Sequence, residues 1–200
     1  MIRQILEELK NHSPFTLFGT LTGIIIMLIL HNINIPSKAS HTIFYTLHPI
    51  HVLLSALVTA SMYELHTRGK CNLWILIIIG YIGSIGIATL SDSIIPYIGE
   101  TLLNLPNKGI HLGFIEKWWL VNPLAFIGIL IAYFRPMTKF PHSGHVLLST
   151  WASLFHIIMA LGSSPSLSSY IVIFFFLFIS VWIPCCISDI VFPLLFVKET

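Results

Sequence analysis

Residues 48–55 read His48-Pro49-Ile50-His51-Val52-Leu53-Leu54-Ser55, and residues 142–149 read His142-Ser143-Gly144-His145-Val146-Leu147-Leu148-Ser149. A second phrase follows each copy. It is Ser91-Asp92-Ser93-Ile94-Ile95-Pro96 after the first and Ser188-Asp189-Ile190-Val191-Phe192-Pro193 after the second. Order and approximate spacing are kept, the mark of an internal duplication. Pro14 and Gly19 also have the separation of Pro123 and Gly128, so the repeated unit reaches back to the start of each half.

The surroundings of these phrases set the fold class. Hydrophobic residues make up 56% of the 200, charged residues 9%, and the mean hydropathy is +0.88. A soluble domain carries about 25% charged residues. The apolar runs approach the roughly 20 residues that a spanning helix needs. Backbone groups in lipid must be satisfied within the segment, which points to helices. The alternating short segments of an outer-membrane barrel are absent from the sequence. The spans fall at about 14–31, 42–64, 73–98, 119–134, 143–162 and 170–197. Trp118 and Trp119 before the fourth, and Tyr133 near its end, fit interfacial anchors.

The expected architecture is an all-α, polytopic membrane bundle of about six transmembrane helices, built as two three-helix repeats. With an odd number of spans per repeat, the second copy enters the membrane from the opposite side, and the topology is inverted. The repeats occupy 14–98 and 119–200. Residues 1–13 have Ile2, Ile5, Leu6 and Leu9 at helical spacing and are expected to lie along the cytoplasmic surface. No small-residue cleavage site follows the first apolar run, so no cleavable signal is expected. Residues 99–118 form an outer-side interfacial linker.

Lysine and arginine orient the chain. With the N-terminus inside, Arg3, Lys10, Arg68, Lys70, Arg135, Lys139 and Lys198 fall on the cytoplasmic side, and Lys38, Lys108 and Lys117 on the other. This favours both termini inside, as in a bacterial inner membrane. No basic cluster suggests a nucleic acid. Cys71, Cys185 and Cys186 fall at or near the cytoplasmic side, where a structural disulfide is not expected.

The repeated polar residues are the candidate site. His48, His51 and Ser55 fall on one helical stripe, and His142, His145 and Ser149 repeat it, with His156 close by. Imidazoles one turn apart suit a shared cation or a proton relay. They also suit a plain headgroup-level position. Asp92 and Asp189 are the stronger signal, because a charge at the bilayer centre costs about 2.5–3.5 kcal/mol on insertion scales. Each repeat is therefore expected to build one cluster: His48, His51 and Asp92 with Ser91 toward the outside, and His142, His145 and Asp189 with Ser188 toward the cytoplasm. His51 is expected within reach of Asp92, and His145 of Asp189. Pro96 and Pro193 each follow the aspartate by four residues, where they free its backbone carbonyl. The bland alternative is a hydrogen-bonded helix clamp. Cys185 and Cys186 lie about a turn from Asp189 and read as small apolar residues or as soft-metal ligands. Gly80, Gly83 and Gly86, and Gly19 with Gly23, read as sites of close helix approach.

There is no His-Glu-x-x-His, no Gly-x-Ser-x-Gly, no phosphate-binding glycine loop and no Cys-x-x-Cys. What the residues suggest is a transporter or channel for a small cation, a proton or a divalent metal such as Zn²⁺ or Fe²⁺, both of which suit neutral imidazole and carboxylate. Its partners would be the bilayer and the ion, with a homo-oligomer or a larger membrane complex open. Two other readings stand beside it. One is an intramembrane enzyme using metal or haem on a lipid-soluble substrate, permitted by ten histidines. The other is a structural subunit whose His/Asp pairs lock helices.

Overall fold

The computed structural model describes residues 2–33, 36–67, 71–162, 165–187 and 191–197. It is helical, with no strand among the described residues. Helix α1 is Ile2–Ile33, α2 Ser37–His66 and α3 Leu73–Thr89. A single π-helical turn, Leu90–Ile94, carries α3 directly into α4, Ile95–Leu102. Short α5, Gly113–Glu116, precedes α6, Trp118–Phe134. Then come α7, Lys139–Ala160, α8, Leu167–Cys186, and the short α9, Phe192–Leu194.

Among the described residues, five stretches are long and apolar enough to cross a membrane: His12–Ile33, Ser37–His66, Leu73–Leu102, Pro141–Ala160 and Leu167–Cys185. The protein is thus an integral membrane protein by length and composition. Helix α6 is apolar but has 17 residues, a rise of about 25 Å. The residues at its ends match that shorter reach. Trp118 and Trp119 at its start, and Phe134 at its end, are exposed where an interface would lie.

Local sequence explains the ends. The Asn72 side chain accepts hydrogen bonds from the backbone N–H of Trp74 and Ile75 and starts α3. Ser166 does the same for α8 through Ser169. The N-terminal stretch does not form a separate surface helix, because α1 runs unbroken through Pro14. Proline cannot bond the carbonyl four residues back. That carbonyl belongs to Lys10, and the Ser13 hydroxyl donates to it at 3.0 Å. The linker expected from residue 99 begins later, because α4 continues to Leu102. It closes with Asn104 at positive φ and a Leu105 N–H bond to the Glu100 carbonyl.

Helices α2 and α7 form the buried centre and pack on each other. Helix α2 also carries α3 and α6, and α7 carries α1 and α8. At the rim α1 meets α8 and α3 meets α6. Apolar side chains of α1 and α8 such as Phe15, Phe18, Ile25, Ile171 and Phe175 point outward, as a lipid-facing surface requires. Gly128 brings α6 onto α2: a Cβ there would lie 2.4 Å from the Leu53 carbonyl oxygen. Gly80 and Gly83 are also close-approach sites, against Ile129 and Thr59. Gly86 faces open space, so the glycine stripe is not a single contact surface.

Candidate functional site

Asp92 sits in the π turn and is fully buried. Both histidines of the first octapeptide reach it from α2. His48 Nδ1 lies 2.9 Å and His51 Nδ1 2.7 Å from the same carboxylate oxygen, Oδ2. The other oxygen, Oδ1, accepts from the Ser91 hydroxyl at 2.7 Å and from the Ser149 hydroxyl at 2.8 Å. Ser153 on α7 donates to the Ser91 carbonyl at 2.9 Å. Among the described residues no lysine or arginine pairs with this carboxylate.

An ionised carboxylate only accepts hydrogen bonds. Both histidines must therefore carry a proton on Nδ1, which leaves the lone pair of each neutral ring on Nε2. A carboxylate holding the far nitrogen of an imidazole is the arrangement that orients metal-binding and proton-transferring histidines. His51 Nε2 is buried and has no partner among the described residues. Its ring lies parallel to that of His145, with centroids 5.7 Å apart. His145 donates from Nδ1 to the Pro141 carbonyl at 3.3 Å. Among the described residues, two side-chain groups bring potential ligand atoms within 4.8 Å of one another: His48, His51 and Asp92, and His51, His145 and Cys185.

The two predicted clusters are not separate in the described side chains. Because α2 and α7 pack together, His51 and His145 meet, and Ser149 of the second half bonds Asp92 of the first. His142 continues the run, 5.2 Å from His145 by ring centroids, and His12 stands edge-on to it at 4.0 Å. Ser188 and Asp189, and with them the expected His145–Asp189 pair, lie outside the described residues. Ile187 and Val191 on either side of them are again π-helical, as Leu90–Ile94 is. Pro96 ends no helix; Ile95 N–H reaches back five residues to Leu90 and the chain continues.

No family model, curated protein or solved structure matches this chain. The site must be read from its own chemistry.

A second buried cluster escaped the sequence reading. Glu100 is 1% exposed and accepts from His156 Nδ1 at 2.6 Å. The Gly109 N–H donates to its other oxygen at 3.2 Å. Glu100 falls within the expected linker that starts at residue 99, whereas α4 carries it into the buried interior. His111 stands edge-on to His156 at 5.2 Å and lies 3.6 Å from Glu116, at the surface end of this cluster. Burial and then His156 hold His111 below the usual imidazole range. Burial acts to raise Glu116, but bonds from Tyr45 and the Leu112 N–H outweigh it and hold its carboxyl low. Phe44 separates the two clusters, 5.4 Å by ring centroids from both His48 and His156.

Proposed function

We propose that the protein is a multi-pass transporter or channel for a small cation, either a proton or a divalent metal ion. The observation that carries this is the Asp92 carboxylate: fully buried, bonded by two histidines and two serines, and without a fixed cationic partner among the described residues. A negative charge left alone in lipid is costly. One proton on an imidazole, or one bound cation, removes the imbalance. The core thus favours a mobile positive charge, and the run His12, His142, His145, His51, His48 lines a route along the helices.

The inverted repeat is part of the proposal. Exchanging α1 with α6, α2 with α7 and α3 with α8 turns every principal helix pairing into another that is present. The glycines agree. Gly128 meets Leu53 and Ala56, and its counterpart Gly19 meets Leu147 and Thr150, which stand at the matching places in and just after the second octapeptide. Both termini face the cytoplasm in this reading. Cysteine labelling at Lys108 and Arg135 tests it, and equal sidedness of the two sites would defeat it.

The functional test is ion flux in proteoliposomes, with Zn²⁺ and a proton gradient assayed separately. Asp92→Asn is expected to abolish flux while the protein still inserts. Undiminished flux of both ions in that variant would remove the proposal.

One observation favours a second reading. The histidines of the two halves meet at one place, as an intramembrane metal- or haem-dependent enzyme would need. A visible absorbance band on the purified protein would establish the haem form.

A further inference from the structure

We propose that His51, His145 and Cys185 form the binding site for one divalent transition-metal ion, with Asp92 positioning the site rather than ligating. The proposal rests on the reading of the core as a cation site, and not on movement of the ion. The three residues come from α2, α7 and α8 and are at most 1% exposed. Their ligand atoms already lie within 4.8 Å of one another. A tetrahedral ion with bonds of about 2.0 Å to nitrogen and 2.3 Å to sulfur spaces two nitrogens and one sulfur about 3.3–3.5 Å apart. Side-chain shifts on the order of an ångström close the site.

The alternative triad, His48, His51 and Asp92, is close for a different reason. Its short separations are the hydrogen bonds themselves, at 2.9 and 2.7 Å. An ion placed there must break both and strip the proton from each Nδ1. At the proposed site those bonds stay. Asp92 holds His51 by Nδ1, and the fully buried Nε2 of His51, which has no partner among the described residues, becomes the ligand atom. Such a carboxylate raises ligand basicity and fixes the ring.

Charge selects the ion. Binding breaks the S–H bond of Cys185 and releases its proton to water, leaving a thiolate on the metal. A divalent ion, one thiolate and the Asp92 carboxylate then sum to zero. Two imidazoles and a thiolate suit Zn²⁺ or Co²⁺ and disfavour Mg²⁺ and Ca²⁺, which take oxygen ligands. Three protein ligands leave a fourth position open, as in sites that exchange what they bind.

The experiment uses the purified full-length protein. One Zn²⁺ per chain is expected, and X-ray absorption at the zinc edge should show one sulfur and two imidazole nitrogens. Co²⁺ should give a thiolate charge-transfer band that is lost in Cys185→Ser and kept in Cys186→Ser. Asp92→Asn should weaken Zn²⁺ binding about 10- to 100-fold. A sulfur-free shell in the wild-type protein, or no bound metal, overturns the assignment whether or not the variants fold. The transporter reading is tested apart from it. Sulfur-ligated metal with no flux of metal or protons keeps the site and removes the transporter. Proton flux through a wild-type protein that binds no metal does the reverse.

Discussion

Replacing Asp92 separates its charge from its hydrogen bonds. In Asp92→Ala the four donors lose their acceptor. The serines have other choices: Ser91 lies 3.5 Å from the Ala88 carbonyl, and Ser149 lies 3.2 Å from the Ser91 hydroxyl. The histidines have fewer, and two buried Nδ1–H groups stay unpaired at about 1–3 kcal/mol each. The expected loss is about 2–6 kcal/mol. Asp92→Asn behaves differently. Its amide nitrogen carries two hydrogens and can donate to both Nδ1 atoms once each ring moves its proton to Nε2. Its oxygen still accepts from both serines. Charge-assisted bonds become neutral ones, losing about 1 kcal/mol each. Against this, the uncharged amide avoids the several kcal/mol of burying an ion. Asp92→Asn should therefore melt close to wild type in detergent, and Asp92→Ala far lower. The same tautomer change occupies Nε2 of His51, so the folded Asn variant should bind metal weakly. Equal melting of Asp92→Ala and wild type would refute the four-bond geometry.

Glu100→Gln should be tolerated, because an acceptor for His156 Nδ1 remains, whereas Glu100→Ala should lose about 1–3 kcal/mol in the same melting assay. Gly128→Ala should destabilise by about 1–3 kcal/mol through the clash with the Leu53 carbonyl, and Gly86→Ala, in open space, should not. The segment 103–117 should loosen on acidification. Glu116 has a depressed pKa, so its contribution is present above the ordinary glutamate value and lost as pH falls through the folded one. His111 is also depressed, faced by His156, Glu116 and His41, so its neutral form is favoured and the gain fades below about pH 6.5. Lower protection factors in this segment at pH 4 than at pH 7, each taken relative to the intrinsic exchange rate at that pH, check it, and unchanged protection would refute it.

Duplication made the His48, His51 and Asp92 cluster legible, because the same polar residues were written twice in apolar sequence. Five of the six expected spans were legible from hydropathy as stretches long enough to cross, and the sixth, α6, is shorter. Glu100 was not legible, and the repeat explains why: Val197 stands at its matching place, so nothing in the pattern marked it, and His156, although near the histidine stripe, had no acid to pair with. The meeting of His51 with His145 was also hidden. Spacing along a helix places residues on a face, but which helix that face touches depends on packing. Residues 1–13 read as a surface-lying segment from the spacing of Ile2, Ile5, Leu6 and Leu9, whereas α1 runs from Ile2 straight through Pro14. A single serine hydroxyl, too local to appear in any periodicity, carries the helix through it.

The π turn at Leu90–Ile94 acts as a phase corrector between two rulers. On α7 the residues that meet the acids, Ser149 and His156, stand seven apart, two turns of helix to within about 20°. On the facing helix the acids, Asp92 and Glu100, stand eight apart, and an unbroken α-helix would swing the second away by about 80°. The π turn absorbs the surplus residue, so both acids face the same partner. Removing one residue between them, such as Ile94, should let the turn relax to α-helix with both acid contacts kept. Straightening the turn without a deletion should swing Glu100 off His156 and leave Asp92 in place. The second cluster is thus held in register by a single extra residue in the backbone of the first.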